Sequence, residues 1–85
     1  MEKTVGFLKL SQKFRENEEY GKYLPILDKL DDVASKNHNH LPHSFSLEKL
    51  NDFSKDDTIF VLSKIYPEIK YSCQKVNDDI FCVRS

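Results

Sequence analysis

Residues 46–67 read SLEKLNDFSKDDTIFVLSKIYP, and residues 68–85 continue EIKYSCQKVNDDIFCVRS. The reading of this stretch decides the fold. Ser54 offers a side-chain oxygen to the free amides of a first helical turn, and Asp57, three residues on, completes a capping-box-like pair. Asp56 and Asp57 also suit the positive end of a helix dipole. Ile59, Leu62, Ile65 and Tyr66 then recur at helical spacing with Val61 beside them, and Pro67 ends the run. The prediction is a helix over Lys55–Tyr66. Upstream, Ser46 before Leu47, Glu48, Lys49 and Leu50 predicts a cap and a short amphipathic helix. Asn51 to Ser54 would turn between the two helices, with Phe53 buried where they cross.

Downstream the period falls to two. Ile69, Tyr71 and Cys73 alternate with Lys70, Ser72 and Gln74; Asn77, Asp78 and Asp79 carry turn chemistry; Ile80 to Val83 return as a second strand. Two registers are open. A two-residue loop, Asn77-Asp78, puts Cys73 opposite Cys82 in a non-hydrogen-bonded pair, close enough for a disulfide. A three-residue loop, Asn77 to Asp79, gathers Tyr71, Cys73, Phe81 and Val83 on one face and sends Cys82 to the other. The second makes the better apolar face, so the expectation is that register and two free thiols.

Working back toward the start, residues 23–35 predict a helix. Pro25 sits in its first turn, and Ile26, Leu27, Leu30, Val33 and Ala34 form its apolar stripe. Asp28, Asp31 and Asp32 take the outer face. Lys36 to Ser44 is a polar loop, and His43 to Phe45 would add a short strand to the hairpin. Before that, Met1 to Tyr20 predicts an N-terminal helix with Phe7, Leu10 and Phe14 on one face, Thr4 to Leu10 being readable as a strand instead. Gly21 ends it.

Helix, tight turn, helix and hairpin, over Ser46–Arg84, resemble the C-terminal half of winged-helix domains. Lys55 to Tyr66 stands where those domains carry the recognition helix, and Asn77 to Asp79 where they carry the wing tip. The expected fold is therefore α+β: a small winged-helix-like domain with N-terminal helices, a helix-turn-helix and a C-terminal β-hairpin. It would be one unit over residues 1–85, with residues 1–22 as a helical extension and 23–85 as the core.

Eighty-five residues allow one small domain. Thirteen basic and fourteen acidic residues leave a net charge of −1, which gives no global pull toward phosphate polymers. No apolar run approaches the ~20 residues of a membrane span, and no charged start leads into an apolar run. The expectation is a soluble cytoplasmic protein with no membrane contact.

Chemistry-bearing clusters are few. His38, His40 and His43 are the only ligand-type group, but a structural zinc site wants four ligands, usually with cysteine, and Cys73 and Cys82 are not so spaced. No metal or other cofactor is expected. Gly6 and Gly21 are isolated, so no phosphate loop exists. A Cys–His catalytic pair is the one enzymatic reading left, and the expectation is a protein that is not an enzyme.

Two function classes remain. A nucleic-acid-binding winged helix is one. Against it, the recognition helix opens with Asp56 and Asp57 and the wing carries Asp78 and Asp79, only partly offset by Lys55, Lys64, Lys70 and Lys75. A protein-binding module is the other: a regulator, adaptor or inhibitor, such as a phage or viral protein engaging a host factor. Phe60 favours it. On a helical wheel Phe60 falls opposite Ile59, Leu62, Ile65 and Tyr66, among polar neighbours. Either the N-terminal helix folds back over Phe60, or Phe60 anchors a protein partner or a second copy, ringed by Asp56, Asp57 and Lys64.

Overall fold

The computed structural model describes residues 6–85. Their chain runs α1 (Phe7–Arg15), a 3-10 helix (Glu18–Tyr23), α2 (Leu24–Ser35), β1 (Ser44–Leu47), α3 (Lys55–Ile65), β2 (Tyr71–Val76) and β3 (Asp79–Arg84). The three strands form one antiparallel sheet in the order β1-β3-β2. The fold is a small α+β domain.

α1 is shorter than its pattern suggested, and the first five residues of the expected helix lie outside the described ones. Phe7, Ser11 and Phe14, at spacings of four and three, face the core. Arg15 reaches across to α2, where its guanidinium donates to Asp28 and Asp31. The chain then tightens into the 3-10 turn, opened by Asn17, whose side-chain oxygen accepts the Glu19 amide at 2.9 Å. α2 begins at Leu24 with Pro25 in its first turn and buries Ile26, Leu27, Leu30 and Ala34.

α3 forms as its caps dictate. Ser54 and Asp57 exchange side-chain and backbone bonds in a full capping box, and the helix ends one residue short of Tyr66, ahead of Pro67. Val61, Leu62 and Ile65 enter the same core as α1 and α2, joined from the sheet by Leu47, Tyr71, Cys73, Ile80 and Cys82.

Two expectations fail. The helix over Ser46–Leu50 does not form, so the expected helix-turn-helix is absent among the described residues. Ser44–Leu47 is strand instead, and residues 48–54 are loop. A five-residue helix must nucleate for almost no internal hydrogen bonds. The competing strand places Leu47 opposite Ile80 and buries it to 1 % exposure. Beyond it, Lys49 turns to φ 62° and the Leu50 amide donates to the Asp78 carbonyl at 2.8 Å, which sinks Leu50 into the core.

The hairpin takes the other register. Its loop is two residues, Asn77-Asp78, with Val76 opposite Asp79 and Asn77 at φ 58°, the positive φ that a tight hairpin turn asks of its first central residue. Cys73 therefore faces Cys82, with Cα atoms 4.1 Å apart, and the two are joined as a disulfide. The expected free thiols are absent, since both cysteines are bonded. Ile80 and Cys82, rather than Phe81 and Val83, point inward. Phe81 and Val83 are each 46 % exposed on the outer face. The apolar count favoured the other face, but a one-residue slip exchanges every side chain, and the turn decided it.

Candidate protein-interaction site

The outer face of α3 meets the 3-10 turn. In a 3-10 helix side chains three apart eclipse, so Tyr20 and Tyr23 emerge on the same side. Both reach Phe60: the Tyr23 ring lies 5.1 Å from it, and Tyr20 stands edge-on at 5.6 Å. Tyr20 also stacks on Phe14 of α1 at 4.5 Å, so the aromatics form a connected cluster spanning three elements. Phe60 is half-buried as a result. Its exposed side is overlain by Lys64, whose Nζ sits 5.4 Å from the ring centre, in cation–π range.

Beside this cluster opens a groove of about 250 Å³, with Leu10, Phe14, Tyr20 and Ile65 as its apolar lining and Lys13 and Lys64 at its rim. Neither lysine has a carboxylate partner among the described residues. The surface thus combines aromatic area, a concavity and two unpaired cations.

Of the four residues the sequence assigned to a partner surface, Phe60 and Lys64 sit together at this site. Asp56 is exposed on the first turn and pairs with Lys55 at 3.1 Å. Asp57 has a structural task, since its carboxylate accepts the Ser54 amide at 2.9 Å within the capping box. Tyr20 and Tyr23 escaped the sequence reading. Their i, i+3 spacing beside Gly21 was the available signal, but a 3-10 turn has too short a period to stand out from a helix end.

Elsewhere several polar groups are engaged within the chain. Lys75 extends its ammonium to the carbonyls of Asn51, at 3.1 Å, and Phe53. Asp79 accepts the Lys49 amide at 3.3 Å. Burial pushes the Tyr66 and Tyr71 hydroxyls above their ordinary range, and Tyr71 donates to the Pro42 carbonyl. The hydrogen bonds that Arg15 donates to Asp31 and Asp28 raise its pKa above the ordinary arginine value. His38, His40 and His43 are all exposed, and among the described residues no three potential ligands converge on a metal position. With both cysteines in the disulfide, the Cys–His catalytic pair has no thiol to supply it.

Compared with known protein families, with curated proteins and with solved structures, the chain matches none of them.

Proposed function

We propose that this chain is a small, non-enzymatic regulatory or adaptor module that binds a protein partner through the outer face of α3 and the adjoining 3-10 turn. The observation that carries this reading is the half-buried Phe60, clustered with Tyr20 and Tyr23 and bordered by an apolar groove with Lys13 and Lys64 at its rim. Clustered aromatics in a partly desolvated hollow are the usual anchors of protein interfaces, and unpaired rim cations select the partner by charge. The fitting partner presents an apolar side chain flanked by carboxylates.

A winged-helix-like reading of the fold is part of the proposal. The sheet order β1-β3-β2, with α3 between β1 and the hairpin, supports it. The helix such domains place before the recognition helix is missing, residues 48–54 being loop. Duplex nucleic acid fits the same surface poorly, because Asp56 and Asp57 open α3 and two of the four offsetting lysines, Lys55 and Lys75, are engaged within the chain. No helix among the described residues is long and apolar enough to cross a membrane. A disulfide persists in oxidising surroundings, so it favours such a compartment over the cytoplasm expected from the lack of a long apolar run.

The test uses Lys13→Glu and Lys64→Glu, separately and together. Exposed substitutions of this kind change stability by about 0.5 kcal/mol or less. Partner capture should fall with the melting temperature unchanged, and fluorescence anisotropy should find no tight binding to random duplex DNA or RNA at physiological salt. Undiminished capture by the double variant, or a steeply salt-dependent submicromolar affinity for the duplex, refutes the reading.

A further inference from the structure

The two edges of the sheet differ in kind. β2 carries Lys75 within it and Lys70 just before it, and edge lysines discourage pairing with another chain. β1, at the other edge, reads Ser44-Phe45-Ser46-Leu47, with no charge and no proline.

The ladder fixes which way the β1 backbone points. Val76 and Asp79 flank a two-residue loop and so form a hydrogen-bonded pair. Alternation along the antiparallel ladder then directs Phe81 and Val83 toward β2, and Ile80, Cys82 and Arg84 toward β1. The Arg84 amide accordingly donates to the His43 carbonyl at 2.7 Å. On β1, Phe45 and Leu47 bond to β3, and Ser44 and Ser46 turn their amides and carbonyls off the sheet. Among the described residues nothing takes up either amide.

There is also a hollow beside this edge. A groove of about 480 Å³ runs between α2 and β1, with Val33, Phe45 and Leu47 along it. Its rim holds Lys29 and Lys36 against Asp32 and Glu48, two cations and two carboxylates.

We propose that a second copy of this chain takes up that edge, β1 pairing antiparallel with β1 about a two-fold axis at Phe45. In this register Ser44 of each copy faces Ser46 of the other, and each pair exchanges both backbone bonds. The two Phe45 side chains meet at the non-hydrogen-bonded position, where cross-strand side chains approach most closely. The three-stranded sheet becomes six-stranded, and the pairing is isologous, so it closes at two copies. Charge selects this occupant. A rim with two cations and two carboxylates has no net charge to repel a second copy, and a net charge of −1 adds little repulsion between whole molecules. A strongly acidic or basic partner would find no attraction there. The surface is separate from the α3 face, so Lys64→Glu leaves the dimer intact even where it abolishes partner capture.

Sedimentation equilibrium of the full chain, from micromolar to millimolar, tests the dimer, together with amide exchange of Ser44 and Ser46 at both ends of that range. The expected result is a monomer–dimer equilibrium in which both amides slow as the dimer fills. Ser46→Pro removes an edge donor that makes no bond within the chain and should weaken the dimer about tenfold or more. Should that variant fail to fold, Ser46→Lys places a charge on the same edge and should weaken the dimer in the same direction. A monomer throughout the range, which would leave the edge to a different partner, overturns the proposal. So does a dimer in which the Ser44 and Ser46 amides exchange equally fast in dilute and concentrated samples.

Discussion

Asn39 caps a helix that lies far from it in sequence. Its side-chain oxygen accepts the Leu8 amide at 2.9 Å across 31 residues, and its carbonyl accepts the Phe7 amide at 2.8 Å. Gly6, the residue before α1, has no side chain with which to cap it. Asn39 is placed for the task by its own turn: at φ 66° it ends the α2 loop with its amide bonded to the Ala34 carbonyl at 2.8 Å. Asparagine is among the few side chains that adopt that conformation readily.

Asn39→Ala should therefore lower stability by about 1–2 kcal/mol, as lost N-caps do. Asn39→Gly keeps the turn but not the cap, and should fall between the alanine variant and wild type. At Gly6 an added methyl would lie 1.9 Å from Asn39 Nδ2. Gly6→Ala should cost about 1–3 kcal/mol, the usual range for overpacking. Urea midpoints check all three, and a Gly6→Ala midpoint equal to wild type would show that the Asn39 side chain moves aside at no cost.

The Cys73–Cys82 disulfide closes a short loop, the cysteines being nine residues apart. Titration of denatured, unreduced protein should count no thiols. On the loop-entropy account the bond contributes about 2–3 kcal/mol, so reduction should lower the urea midpoint accordingly. Two titratable thiols in unreduced protein would refute the pairing.

Thr58 is fully buried on α3, and its hydroxyl finds no hydrogen-bond partner. A buried unpaired hydroxyl is a net cost, and valine has nearly the same shape. Thr58→Val should raise stability by about 1 kcal/mol. A fall in the midpoint instead would mean the hydroxyl is satisfied in solution.

Burial raises both Tyr66 and Tyr71. Each thus holds its proton to higher pH in the folded chain than in the unfolded one. Their contribution is fully present below the unfolded tyrosine value of about 10 and is lost as pH climbs through the higher folded values. Stability measured by denaturant should fall above pH ~10. Tyr71→Phe, which removes one of the two groups, should make that fall shallower. An unchanged alkaline slope in the variant would place the effect elsewhere.

What the sequence settled by itself is what depends on near neighbours. Ser54, Asp57 and Pro67 set the limits of α3 through contacts within four residues, and the stripe from Ile26 to Ala34 marked α2. The alternation through Tyr71 and Cys73, with turn residues at Asn77 and Asp78, marked a hairpin. Phe60 stood out as misplaced on its helix, though nothing local indicated what would cover it. The rest was decided across long separations. Ser46 to Leu50 has a helical pattern, but pairing with β3 offered Leu47 a ladder and a buried site that a single helical turn could not match. The hairpin slipped to the register that its turn favours, which bonded the cysteines and exposed Phe81 and Val83. Tyr20 and Tyr23 met Phe60 only when α3 packed against the 3-10 turn, and Asn39 met Leu8 only when the loop after α2 reached α1. Local hydrogen bonds and periodicity are written in consecutive residues, whereas pairing partners depend on which distant surfaces the collapsed chain can bury together.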